Sequence, residues 1–101
     1  MKGASRLPDM RWLALLAVLA ACASEPPPTA ELASARAAVG HASTVARQYA
    51  PNELAAARAK LKLAEGAFAR GDPVRARRLA EEAEVDAQLA QALSQNERSR
   101  Q

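Results

Sequence analysis

The sequence predicts an all-α protein, an alanine-rich antiparallel helical hairpin or three-helix bundle that follows a cleaved N-terminal signal. Three observations carry this. More than a quarter of the residues after position 21 are alanine, the best helix former. Apolar residues recur at spacings of three and four through three successive stretches, the period of one helix face. The stretches are separated by Ala50-Pro51 and by Gly71-Asp72-Pro73, which stop one helix and open the next.

The first element, residues 1–21, reads as a lipoprotein signal peptide. Lys2, Arg6 and Arg11 outweigh Asp9 in a positive leader, and Trp12 to Ala21 is its apolar core. A core of about ten residues is far short of the ~20 that cross a bilayer as a helix. Leu19-Ala20-Ala21-Cys22 looks like a lipobox, the cleavage and lipidation site of bacterial lipoproteins. That resemblance implies cleavage between Ala21 and Cys22. Diacylglycerol would then sit on the Cys22 thiol and an acyl chain such as palmitate on its freed amine. An ordinary secretory signal with an incidental cysteine, or a short core helix, is the alternative. Cys22 is the sole cysteine, so with lipid on it no thiol remains for a disulfide, metal or redox role. No other cofactor is expected.

Removing the signal changes the charge balance. The chain has 14 Lys+Arg and 11 Asp+Glu; without Lys2, Arg6, Arg11 and Asp9 the counts become 11 and 10. A near-neutral sum lacks the basic stripe of a nucleic-acid binder, and no nucleic-acid partner is expected. The remaining 80 residues make one small domain. Alanine favours helix strongly but buries little, so the core should be thin.

Residues 22–29 form the lipidated cysteine and a proline-rich linker. Pro26-Pro27-Pro28 favours polyproline II, with a reach of roughly 20 Å for the whole segment at ~3.1 Å per residue. In lipoproteins of diderm cells, aspartate after the lipidated cysteine retains the protein in the inner membrane. Position 23 is alanine, which implies the periplasmic face of the outer membrane.

The helical domain is expected over 30–94. Thr29 is the N-cap candidate for a first helix of about 30–49, with the stripe Leu32, Ala35, Val39, Ala42, Ala46 and Tyr49. Gly40 interrupts it, at a cost of ~1 kcal/mol against alanine, and marks a place where helices could cross closely. Pro51 opens a second helix of about 51–70 with the stripe Leu54, Ala57, Leu61, Ala64 and Phe68. Leu63, Ala56 and Ala67 fall on its other side, which suits the middle helix of three or one touching another subunit. Gly71-Asp72-Pro73 reads as a tight hairpin tip: glycine for the left-handed position, aspartate as N-cap, proline at the first helical position. The third helix, about 73–94, should bury Ala76, Leu79, Ala83, Ala90 and Leu93, with Ala80 and Ala87 beside them. Residues 95–101 are polar and expected to fray.

Ala50-Pro51-Asn52-Glu53-Leu54, Ala57, Lys60-Leu61, Gly71-Asp72, Ala76 and Leu79-Ala80-Glu81-Glu82-Ala83-Glu84 together resemble a bacterial envelope family known as domain of unknown function 4398. The resemblance covers roughly Leu32 to Leu93 and implies a short, alanine-rich helical lipoprotein. Some members carry the helical module ahead of an OmpA-like domain that binds peptidoglycan. The residues up to Gln101 include no such domain, so peptidoglycan binding is not expected to carry over from the resemblance. The family supplies no catalytic residues to transfer.

Few side chains invite chemistry, and an enzyme is not expected. His41 has Ala37 and Val45 four residues to either side, so no second ligand or base shares its face. Arg70, Arg75, Arg77 and Arg78 surround the hairpin tip and could meet lipid phosphates or an acidic partner. The plainer expectation is a solvated surface in which Arg77 and Arg78 pair with Glu81 and Glu82 at i+4. Asp86 falls in the seam between Ala83 and Ala90, where it either leans into water or receives a cation from a partner. Val85 and Leu89 form an apolar patch off the seam, a candidate surface for self-association or another envelope protein.

These residues imply a lipid-anchored outer-membrane lipoprotein acting as a non-enzymatic structural or protein-interaction module. The alternative is a membrane-surface or cell-wall ligand binder using the basic tip, Arg75 and Arg78 above all.

Overall fold

A computed structural model describes residues 26–101; Ala21, Cys22 and the signal segment lie outside the described residues. Three helices follow in order, α1 Thr29–Tyr49, α2 Pro51–Ala69 and α3 Pro73–Arg100. Two core clusters fix their directions. Near the hairpin tip Leu32 and Ala35 of α1 pack with Ala64 and Ala67 of α2 and with Ala76, Leu79, Ala80 and Ala83 of α3. At the other end Val39, Ala42 and Ala46 meet Leu54 and Ala57, then Ala87 and Ala90. Thus α2 runs antiparallel to both neighbours, α1 runs parallel to α3, and the fold is an all-α bundle of three.

The α2–α3 connection is made by backbone hydrogen bonds that its residue types permit. Gly71 has φ +78, a left-handed conformation that a side chain would strain. Its N–H donates to the Phe68 carbonyl at 3.1 Å and the Asp72 N–H to the Ala67 carbonyl at 2.9 Å, the paired bonds of a Schellman motif. Asp72 then caps α3, its carboxylate accepting the Arg75 N–H at 3.2 Å, with Pro73 at the first helical position. The α1–α2 connection is a single residue, the buried Ala50. Its N–H ends α1 on the Ala46 carbonyl, and its own carbonyl accepts the Leu54 N–H that starts α2. Proline at 51 keeps Ala50 out of helical geometry, so the chain turns there.

The first helix departs from its expected cap. Thr29 lies inside α1; Pro28 occupies the capping position with no side-chain bond, and its carbonyl accepts the Leu32 N–H at 3.0 Å. Pro28 is itself buried, so the linker packs onto the bundle before the helix begins.

The helix that takes contacts on two sides is α3, not α2. Both α1 and α2 pack on it far more extensively than on each other. Its buried row is Ala76, Ala80, Ala83, Ala87, Ala90 and Ser94, alternating spacings of four and three, and small side chains there let the neighbouring backbones come close. The row through Leu79, Asp86 and Leu93 leaves the interface gradually. Leu79 is 8% exposed, and Leu93, expected in the core, is 40% exposed. That row lies at the edge of the interface, beside the alanine row whose strict alternation of four and three keeps Ser94 at the centre. Buried Ser94 satisfies its hydroxyl by donating to the Ala90 carbonyl at 2.7 Å.

The helix also continues past the expected end at Ser94 to Arg100. No glycine or proline lies beyond Pro73 to stop it, and the Tyr49 hydroxyl of α1 donates to Gln101 Oε1 at 3.3 Å. At α2's end, buried Ala67 takes a seat beside α3 that was assigned to the other side, whereas Phe68 is 41% exposed. Phe68, the next residue along the helix, is turned about 100° from that seat.

Gly40 does not mark a close crossing. It is exposed, and a Cβ built on it meets no atom within 4 Å. Gly40→Ala is therefore expected to stabilise the bundle by about 0.5–1 kcal/mol through backbone entropy alone. Thermal denaturation should show Tm rising by about 2–8 °C. A lowered Tm would mean that position 40 touches something the monomer does not show.

Candidate interaction surface on the third helix

Once α3 has given its alanine row to the core, its outer face carries Arg78, Glu82, Val85, Asp86, Leu89 and Leu93. Val85 is 61% and Leu89 49% exposed, so the apolar patch expected off the seam is present on the surface. Together with Leu93 these side chains are spaced at i, i+4 and i+8, a stripe along one side of the helix. An open groove of about 370 Å³ adjoins it at Val85, lined by Lys60, Arg78, Glu81, Glu82, Val85 and Asp86.

Asp86 is held by its own chain. Lys60 Nζ of α2 stands 2.8 Å from Asp86 Oδ2, an oxygen with almost no access to solvent. The carboxylate at the seam's edge thus neither leans freely into water nor waits for a partner's arginine. The hydrogen bond to Asp86 raises the Lys60 pKa above its ordinary 10.5; burial opposes the shift, and the charges of Asp86 and Glu82 reinforce it. This pair joins α2 to α3 and sets one wall of the groove. Lys60 was absent from the candidate residues. Lys60 stands 11 residues before Gly71 and Asp86 15 after it, so counting from the tip does not pair them.

Similar straps tie α1. Arg36 Nη2 lies 3.5 Å from Glu65 Oε2, and Arg58 Nη2 donates to Ser43 Oγ at 3.1 Å. At the tip Arg77 Nε donates to Glu31 Oε1 of α1 at 3.3 Å, and its Nη2 donates to the Pro26 carbonyl. The expected pairing of Arg77 with Glu81 is replaced by this tie to the segment that enters the bundle. Arg78 makes no ion pair with Glu82 either, and among the described residues Arg70, Arg75 and Arg78 form none at all. All three are exposed.

His41 is exposed on α1. Among the described residues no three His, Cys, Asp or Glu side chains stand close enough to hold a metal ion, and no described helix is long and apolar enough to cross a membrane. A second hollow of about 310 Å³, lined by Thr44, Val45, Gln48, Tyr49 and Arg98, lies where α3 continues past its expected end.

The family model described as domain of unknown function (DUF4398) matches residues 30–101, all three helices from the second residue of α1 onward. The chain belongs to this family. No curated protein and no solved structure matches it. Within the DUF4398 module, the residues that carried the resemblance divide by role. Ala50, Leu54, Ala57, Ala76, Leu79, Ala80 and Ala83 are buried, and Gly71 and Asp72 build the hairpin tip. Lys60 pairs across helices, and Glu81 and Glu82 line the groove.

Proposed function

We propose that this DUF4398 protein is a lipid-anchored lipoprotein of the outer membrane, facing the periplasm, whose helical module acts as a non-enzymatic protein-interaction element of the cell envelope. The observation that carries the interaction reading is the exposed stripe Val85, Leu89 and Leu93 beside a groove of mixed charge. Exposed apolar side chains grouped on one helix face mark contact sites more often than isolated ones do. The anchor reading rests on Leu19-Ala20-Ala21-Cys22 and on alanine at position 23. The partner is a second copy of the chain or another envelope protein.

Photo-crosslinking residues placed at 85 and 89 in living cells test the interaction, with position 37, exposed on α1, as the comparison. Discrete adducts from 85 and 89, weak or absent from 37, are expected. Equal yields from all three positions would overturn the reading. Palmitate labelling tests the anchor: wild type should label and fractionate with the outer membrane, and Cys22→Ala should do neither. Labelling that persists in Cys22→Ala would remove Cys22 as the lipid site.

A further inference from the structure

We propose that the α2–α3 hairpin tip is a membrane-contacting surface, in which Phe68 and Val74 enter the interfacial layer of a phospholipid bilayer while Arg70, Arg75 and Arg78 meet its phosphates. The proposal rests on the lipid-anchor reading for its orientation, and on the described residues for its chemistry.

The orientation follows from where the chain enters the bundle. Pro28 is buried, and the Pro26 carbonyl is tied to Arg77, one turn into α3. The entering segment is thereby fixed at the tip end of the bundle and not at the Ala50 end. Pro26 lies four positions beyond Cys22, a reach of at most ~14 Å even when fully extended. A lipid on Cys22 therefore places the bilayer surface next to the tip. A bundle tethered this closely exposes that end to headgroups continuously, and a weak contact there acts at high effective concentration.

The chemistry of the tip suits that neighbour. Phe68 on the last turn of α2 is 41% exposed, and Val74 on the first turn of α3 is 65% exposed. These apolar side chains flank the turn, where isolated apolar exposure next to cations has the composition of an interfacial anchor. Of the carboxylates nearby, Asp72 caps α3 and Glu31 accepts from Arg77, while Glu81 and Glu82 line the groove beside Arg78 without an ion pair to it. Arg70, Arg75 and Arg78 are exposed without ion pairs among the described residues, so their guanidinium donors can meet phosphate oxygens, which they match in geometry. The Ala50 end carries exposed Arg47, Arg98 and Leu93 as well, so the entry of the chain at Pro26 and Pro28, and not composition alone, selects the tip.

The experiment uses the purified lipidated protein with tryptophan at a single tip position, Val74→Trp, in vesicles containing brominated lipid. Co-sedimentation with neutral phosphatidylcholine vesicles reports the anchor alone. With phosphatidylglycerol vesicles, the Val74→Trp emission should shift to the blue and be quenched by bromine, whereas a Gln48→Trp probe near the far end should not be. Arg70, Arg75 and Arg78 changed together to Gln should abolish the quenching without releasing the protein. In the unlipidated Cys22→Ala chain the same changes should weaken phosphatidylglycerol binding about a hundredfold, on the order of fivefold per arginine. Raising the salt should weaken it likewise. Co-sedimentation without tip quenching would overturn the tip contact while leaving the anchor standing; failure to co-sediment with neutral vesicles would overturn the anchor instead. Arginine-dependent binding to isolated cell-wall sacculi, with no quenching by brominated lipid, would assign the tip to a wall ligand and overturn the membrane contact.

Discussion

Leu54→Ala is expected to remove about 3–5 kcal/mol of stability, the upper part of the range for a buried leucine. Leu54 is buried to 2% exposure, and its neighbours in the far-end cluster are Ala42, Ala46, Ala50, Ala57, Ala87 and Ala90, with Val39 and the partly buried Leu61 the other branched residues. Cavities cost less when long neighbours swing in to fill them. Alanine has no side-chain rotamer to change, so beyond what Val39 and Leu61 can fill, the space left by Leu54 closes only if whole helices move. The single-residue link at Ala50 resists that, because Leu54 sits one turn beyond it, its N–H bonded to the Ala50 carbonyl.

A core of this size supplies only about 3–5 kcal/mol to begin with. The variant should therefore be largely unfolded at room temperature, seen as loss of helical circular dichroism and of a cooperative urea transition. Leu54→Met keeps the volume and should cost less than about 1.5 kcal/mol. A loss below about 1 kcal/mol in Leu54→Ala would show that α1 and α2 slide together on α3, and that the bundle is softer than its alanine packing implies.

The sequence made the punctuation of this fold legible and the choice of seats less so. Pro51 and the Gly71-Asp72-Pro73 run act through local backbone chemistry, so the two turns can be placed from a few adjacent residues. Which side chains fill the core depends on the rotation of each helix, and that is set by neighbours. Leu93 and Phe68 illustrate this. Both continue a stripe spaced by three and four, and both are on the surface. Leu93 belongs to the row at the edge of the interface, and Phe68 is turned about 100° from the core seat that Ala67 takes. The hydrophobicity of the side chain argued for burial in each case, but in a bundle of alanine rows closeness of the backbones decides, and a serine at 94 is admitted where a leucine at 93 is not.

Charges were harder still. Pairings at i+4 within one helix can be read directly, and Arg77 with Glu81 was the natural choice. Arg77 instead crosses to Glu31 and to the Pro26 carbonyl, and Lys60 crosses to Asp86. Such ties depend on the hairpin register and on the parallel placement of α1, neither of which a local pattern contains. The exposed patch of Val85 and Leu89 was legible because it needed only helical geometry on one helix, α3, whose other side was already committed to alanines.

Ala83→Leu tests whether those alanines are there for helix formation or for closeness. Ala83 is fully buried in α3 and packs in the cluster that includes Leu32 and Ala35 of α1 and Ala64 and Ala67 of α2. Leucine is nearly as good a helix former as alanine, so any large loss of stability must come from packing. Three added carbons between two helices that meet mainly through methyl groups force backbones apart and open gaps above and below. The expected cost is about 3 kcal/mol, at the top of the usual range for overpacking, since most neighbours are alanines and Leu32, Leu61 and Leu79 are themselves packed in the same cluster. Ala92→Leu, at an exposed position of the same helix, should change stability by less than about 0.5 kcal/mol and controls for propensity. If both substitutions prove neutral by urea denaturation, α3 is held more loosely than a row of fully buried alanines requires. A marked loss confined to position 83 would establish that small side chains on α3 set the spacing of the bundle, with alanine's helix propensity a secondary contribution.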